Sequence, residues 1–205
     1  MLKPFLFVMA MLAASPALAQ DRALPTLFDV TGVAANDVLN IRQTPSASAA
    51  VTGRLAPDQT RIEVVGLDAS GRWGQVNTGE QAGWVSMRFL APRANVWKAG
   101  QLPEGLICSG TEPFWSFSAS DGTLNWQEPG HETRLSGLSV MDSGIGGDRR
   151  RGLFVEDAHD ILTASITPAA CSDGMSDMAY GLAVTVIRQS RDGAPRMNTG
   201  CCRIR

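Results

Sequence analysis

The chain has 205 residues, of which 44% are hydrophobic, four are cysteine, and 18 basic against 20 acidic residues give a formal charge of −2. This length accommodates one large domain or two small ones. The charges form no basic stripe, so nucleic acid is not expected as a partner.

Residues 1–19 have the features of a secretory signal peptide. Lys3 supplies a positive charge, Phe5–Ala14 is an apolar run of about ten residues, and Ala17-Leu-Ala19 is a small-x-small cleavage site. An N-terminal membrane anchor is the alternative, but the run is too short to span a bilayer. No later segment approaches the ~18 apolar residues of a transmembrane helix. We therefore expect a periplasmic protein without a membrane span.

Residues 27–92 carry short strand patterns separated by turn residues. Polar and apolar residues alternate in Arg61–Val64 and in Trp73–Val76, and helical periodicity is absent. A small closed barrel would leave few open sheet edges. The predicted strands are Phe28–Val33, Val38–Arg42, Val51–Leu55, Arg61–Leu67, Trp73–Asn77 and Ala82–Ser86.

Short motifs follow one another in a set order through this segment. They are Leu39–Arg42, Val51–Leu55, Arg72–Val76, Gly83–Ser86 and Phe89-Leu90. In this order and spacing they resemble the bacterial SH3-type (SH3b) domain. The resemblance implies a small barrel of the kind attached to exported proteins, often cell-wall enzymes, where it binds peptidoglycan or a protein partner.

Four residues of this segment are candidates for binding a ligand. Trp73 and Trp84 either fill the core of a small barrel, where their large apolar area would be useful, or line a groove for a sugar or peptide. Asn40 and Arg42 alternate with apolar neighbours and so lie on the opposite face. There they either hydrogen-bond a ligand or form an ordinary polar surface.

Residues 93–104 are predicted to link two domains. The segment has no strand or helix period, and prolines at positions 92 and 103 flank it. We expect this segment to pack at least partly, because Trp97 would otherwise be exposed to water. Either Trp97 wedges between the domains and limits their relative motion, or the domains move freely. The basic run Arg149–Arg151 is interpreted as a solvated loop, with contact to an acidic wall polymer as the alternative.

Residues 105–205 are predicted to form a second all-β unit, a meander or small barrel. Asp121-Gly122 and residues 191–193 are hairpin turns. The predicted strands are Gly105–Ser109, Phe114–Ser120, Thr123–Gln127, Thr133–Leu138, Leu153–Glu156, Ile161–Ile166, Ala179–Arg188 and Cys201–Ile204.

The four cysteines lie in this second unit, and export favours disulfides over zinc. Zinc would need all four ligands to converge, which is awkward for Cys201 and Cys202 on one strand because neighbours point to opposite faces. A vicinal disulfide would need strained geometry. Opposite-facing neighbours suit separate partners, and we predict the pairs Cys171–Cys201 and Cys108–Cys202.

Two further motifs in this unit resemble a family of uncharacterised bacterial envelope proteins, several of them lipoproteins. They are Gly110-Thr-Glu-Pro-Phe-Trp115 and Ala170–Asp177, followed by Gly200-Cys201. Gly181 after Tyr180 departs from the family, which usually has proline there. The resemblance implies no activity, and a likeness to small barrels of exported lysozyme inhibitors is analogy alone.

The motifs contain the carboxylates Glu112, Asp173 and Asp177. Such side chains commonly bond nearby backbone N–H groups and stabilise tight loops. Alternatively, the two loops meet and form a polar pocket against Trp115. The spacing offers too few oxygen ligands for calcium.

Catalysis has two possible forms here. A cysteine nucleophile needs a free thiolate beside a histidine, but His131 and His159 lie in turn-rich segments and every cysteine has a bonding partner. A paired-carboxylate glycosidase using Glu112 and Asp177 stays open. We predict an all-β, non-catalytic envelope protein without metal or cofactor. The alternatives are a wall-turnover enzyme and a lysozyme inhibitor.

Overall fold

The structure is a computed structural model that describes residues 23–158, 160–191 and 193–205. The predicted signal peptide lies outside these residues. Strands dominate, and the helical part is a 3-10 turn at Met87–Phe89, which confirms the all-β class. Within the described ranges, no helix has the length and apolar character needed to cross a membrane.

The first eight strands form two small antiparallel sheets around one core. Their order is β4-β1-β8 in one sheet and β3-β2-β7-β6-β5 in the other. Phe28, Ile41, Val64, Val76 and Val85 are buried between them. The strands are β1 (Thr26–Val30), β2 (Leu39–Arg42), β3 (Val51–Leu55), β4 (Ile62–Val64), β5 (Gly66–Leu67), β6 (Trp73–Thr78), β7 (Gln81–Ser86) and β8 (Leu90–Pro92).

The remaining strands form one nine-stranded antiparallel sheet in the order β12-β11-β10-β9-β17-β16-β15-β14-β13. Two meanders, β9 to β12 and β13 to β17, join where β17 pairs with β9. The sheet curls until β12 contacts β14. The strands are β9 (Leu106–Thr111), β10 (Phe114–Ser120), β11 (Thr123–Glu128), β12 (His131–Ser136), β13 (Ser139–Asp142), β14 (Arg151–Glu156), β15 (Asp160–Cys171), β16 (Tyr180–Ser190) and β17 (Arg196–Ile204).

The concave face of this curled sheet holds a second, separate core. The Trp115 and Trp126 rings stack within it, with centroids 4.9 Å apart and planes 3° apart. Gly110 makes room for Trp115, because a β-carbon there would collide with the indole ring, and a β-carbon on Gly200 would collide with the Ser109 backbone beside that ring. Trp115 is 3% exposed, so this binding candidate belongs to the core.

Two disulfides fix the curled sheet. Cys108 and Cys202, which lie directly opposite each other, are bonded across the junction of the two meanders. Cys171 is bonded to Cys201, which faces the other side of β17. This is the pairing expected from the sequence. All four cysteine sulfurs are in disulfides, so the zinc and thiolate alternatives are wrong.

Residues 93–105 connect the two cores, and Trp97 packs against the second one. Its indole N–H donates to the Pro25 carbonyl at 2.9 Å, while the Arg149 and Arg151 guanidiniums lie 5.7 and 5.2 Å from its ring centroid. Arg151 is buried and paired with Asp142 at 3.0 Å. The solvated-loop interpretation is therefore wrong for these two arginines, because cation–π contact draws them onto the connecting segment.

Candidate functional site

The outer face of the five-stranded sheet collects four of the residues predicted to bind a ligand. In β2, Leu39 and Ile41 are buried, while Asn40 and Arg42 lie on the outer side and are half-buried. In β6 and β7, Trp73 and Trp84 also lie on the outer side and are half-buried. Alternation along paired strands therefore places all four side chains on one surface.

Strand register arranges these residues in a row. Arg42 lies directly opposite Trp84, and Trp84 lies directly opposite Gln75. Trp73 is two residues before Gln75, so it is a diagonal neighbour of Trp84. We call the set Asn40, Arg42, Trp73, Gln75 and Trp84 the tryptophan face.

The core interpretation of the two tryptophans is wrong. Gly74 and Val76 of β6, with Gly83 and Val85 of β7, occupy the inward positions. A β-carbon on Gly83 would collide with the Ile41 side chain. The interior is thus too tightly packed at this point for a larger side chain, and the indoles lie outside.

Arg42 is held in place beside the indoles. Its Nη1 donates to the Ala49 carbonyl at 2.9 Å, which uses one of five guanidinium N–H donors. Sequence reasoning missed Gln75. Only the register of β6 against β7 brings its side chain next to Trp84, and no local pattern reports that register.

The two C-terminal motifs touch but do not enclose a pocket against Trp115. The Thr111 hydroxyl donates to the Asp173 carbonyl at 2.9 Å, whereas the Trp115 ring points into the core. Glu112 and Asp177 have exposed side chains. The motifs therefore meet at the surface through a side-chain-to-backbone hydrogen bond.

Asp173 organises its own loop. Its carboxylate accepts hydrogen bonds from the Met175 and Ser176 N–H groups at 3.0 and 2.9 Å, the Ser176 hydroxyl at 2.8 Å and the Tyr180 hydroxyl at 3.0 Å. Burial opposes ionisation, but these hydrogen bonds outweigh it and lower the pKa of Asp173 to about 2. The local account of this carboxylate is thus supported.

The segment 171–179, which we call the docking loop, joins the second unit to the first. The Asp177 N–H donates to the Glu80 carbonyl at 3.1 Å, and the Ala82 N–H donates to the Asp177 carbonyl at 2.8 Å. Asp177 thereby forms a parallel bridge with Gln81. Asp177 therefore joins the two units through its backbone N–H and carbonyl groups.

Glu63 of β4 makes a second contact between the two units. Its Oε1 accepts a hydrogen bond from the Ile204 N–H at 3.0 Å. Burial of the carboxyl outweighs this bond and raises the pKa of Glu63 to about 8. A neutral carboxyl is therefore favoured at this contact over much of the neutral pH range.

A cleft of about 750 Å³ lies beside the connecting segment. Two of its basic side chains are engaged: Arg61 pairs with Glu104 at 3.5 Å and Arg93 pairs with Asp29 at 3.2 Å. Over the same described ranges, no group of three or more His, Cys, Asp or Glu residues is placed to hold a metal ion.

Residues 37–91 match the family model described as the bacterial SH3 domain. Searches of curated proteins and of solved structures returned no match. The matched range runs from just before β2 into β8, so it contains the whole tryptophan face. The structure adds β1, which pairs with both β4 and β8. The resemblance to the bacterial SH3 domain is thus confirmed for residues 37–91.

Proposed function

We propose that this chain is an exported, non-catalytic envelope protein whose SH3 domain binds peptidoglycan through the tryptophan face. One observation carries the proposal: Trp73 and Trp84 lie outside the core, only partly buried, on one surface beside Arg42 and Gln75. Large indoles outside a core lose apolar burial, and such residues typically mark interaction surfaces.

The chemistry of the face suits a glycan that carries peptides. Indole rings present flat apolar area to sugar rings, with a polar N–H at the edge. Arg42 can bind a carboxylate through parallel N–H donors. Asn40 and Gln75 can both donate to and accept from acetamido and hydroxyl groups.

Two features support placement in the periplasm. Residues 1–19 carry a signal-peptide pattern. Both disulfides join parts of the fold distant in sequence, separated by 94 and 30 residues, and disulfides persist in oxidising compartments. The curled sheet, docked on the SH3 domain, would then act as a scaffold.

Neither alternative function gains support from the site. A wall-turnover enzyme would need Glu112 and Asp177 across a substrate cleft. Their side chains are exposed, and neither lines the cleft beside the connecting segment. The lysozyme-inhibitor alternative has no corresponding motif. A protein partner for the same face is an outcome of the test below.

Co-sedimentation with purified sacculi tests the proposal. The wild-type protein should pellet at low salt, and Trp84→Ala should weaken binding about tenfold or more, as loss of a central aromatic anchor does. Phe154→Ala is the matched control, since Phe154 is an exposed aromatic on the curled sheet, 37% accessible. Absence of pelleting at low salt would favour a protein partner over peptidoglycan.

A further inference from the structure

The concave face of the curled sheet ends in a polar mouth. A cavity of about 300 Å³ lies there, lined among others by Glu128, Asp160, Arg188, Arg196 and Asn198. Alternation along β11, β16 and β17 carries these positions on the same face as the buried core residues. The cavity is at the small end of the ~300–1,000 Å³ range of ligand pockets.

One ion pair forms the floor of this cavity. Arg188 contacts Asp160 at 3.1 Å, and both side chains are largely buried. The same guanidinium donates to the Thr133 hydroxyl at 3.2 Å and lies 5.4 Å from the Trp126 ring centroid. Buried charges need such pairing. Arg188 and Asp160 therefore neutralise each other and separate the cavity from the core.

Two other charges face the cavity without an ion-pair partner in the described part of the chain. Arg196 lies directly opposite Arg188 across β16 and β17, and like charges in that position are destabilising. Asp160 compensates one of the two arginines, whereas Arg196 makes no ion pair with a described residue. The carboxylate of Glu128 is likewise unpaired there.

We infer that this mouth binds a small zwitterion, an amino acid or a dipeptide, with the ligand carboxylate on Arg196 and the ligand ammonium on Glu128. Among the described lining residues, Arg196 and Glu128 are the charges without an ion-pair partner, and a zwitterion would compensate both. Asn198 can hydrogen-bond a backbone amide or carboxylate. This site lies outside the SH3 domain and is independent of the tryptophan face.

Isothermal titration calorimetry of the whole protein tests the inference. The probes are alanine and alanyl-alanine of both hands, which distinguish a free amino acid from a dipeptide. N-acetylated and C-terminally amidated forms serve as matched ligands that lack one charge each. At least one zwitterion should bind, and its two derivatives should bind about tenfold or more weakly.

Variants assign each charge to its partner. Glu128→Gln should abolish the preference for the zwitterion over its N-acetyl form, and Arg196→Gln should abolish the preference over the amide. Glu132→Gln and Arg134→Gln, which are exposed on neighbouring β12, are the controls. They should leave both binding preferences unchanged. Trp84→Ala should also leave this binding intact. Absence of saturable binding by every zwitterion, or equal effects of the control variants, would overturn the inference.

Discussion

The Asn77 carboxamide makes two hydrogen bonds to the Ala179 backbone across the contact between the SH3 domain and the docking loop. Its Nδ2 donates to the Ala179 carbonyl at 2.8 Å, and its Oδ1 accepts from the Ala179 N–H at 3.0 Å. One side chain thus satisfies both backbone groups of a residue 102 positions away. This arrangement ties the hairpin of β6 and β7 to the curled sheet.

Asn77→Ala should loosen the contact between the two units. Two interfacial backbone groups lose their partners, at a cost of roughly 1–3 kcal/mol. Urea unfolding and the rate of protease cleavage within 93–105 measure the loss. Gln189→Ala, on the exposed side of β16, is the control. Equal protease resistance in wild type and Asn77→Ala would show that the two Asn77 hydrogen bonds do not hold the units together.

Glu63 should make stability depend on pH. Its folded-state pKa, about 8, lies above its ordinary value of 4.5 because the carboxyl is buried. The folded state therefore binds the proton more tightly, so this contribution is fully present below pH 4.5 and is lost as pH rises to about 8.

Glu63→Gln keeps a neutral acceptor for the Ile204 N–H. Its stability relative to wild type should therefore rise steadily over that pH interval, as measured by urea unfolding at several pH values. Glu104→Gln, whose side chain is 91% exposed, should show no such trend. Parallel pH profiles for Glu63→Gln and wild type would contradict the assignment.

The two disulfides should contribute differently to the stability of the folded protein. Each disulfide lowers the entropy of the unfolded chain, which should stabilise the folded state by roughly 3.5–5 kcal/mol, with the larger value for the longer loop. Removing Cys108–Cys202 by paired serine substitution should therefore cost more stability, and it also introduces hydroxyls into the core. Removing Cys171–Cys201 should mainly release the docking loop and speed cleavage within 93–105. Differential scanning calorimetry and proteolysis separate the two effects, and similar results for both pairs would contradict this division.

Gly200→Ala should destabilise the curled sheet severely. A β-carbon there would collide with the Ser109 carbonyl oxygen and press on the Trp115 ring, 3.0 Å from its Cζ2. Overpacking of this kind costs about 1–3 kcal/mol or more. Gly146→Ala, which meets open space, is the control. Thermal unfolding measures both, and an unchanged midpoint for Gly200→Ala would contradict the packing described.

Local patterns predicted much of the fold. The strands Val51–Leu55 and Phe114–Ser120 occur with the predicted limits. Alternation of polar and apolar residues is clear in Phe114–Ser120. The sequence predicts that this strand begins at Cys201, whereas β17 begins at Arg196. Residues 196–200 have little apolar character, and pairing with β16 keeps them in the sheet. The short edge strand β13 is not among the predicted strands, and its pairing with β14 places it in the sheet.

The site was predictable only in part. Alternation placed Asn40 and Arg42 on the outer side, but the side taken by the tryptophans depends on how closely Gly83 approaches Ile41. The docking loop was interpreted as a local structure. Its contact with Gln81 joins segments nearly a hundred residues apart, and no local pattern specifies such a pairing.

Nuclear magnetic resonance mapping of a soluble peptidoglycan fragment on the whole protein tests the central claim most directly. We predict that chemical-shift changes concentrate at the indole N–H groups of Trp73 and Trp84 and around Arg42, and that Trp97 is unaffected. Changes centred on the docking loop, or no changes at saturating fragment, would contradict it.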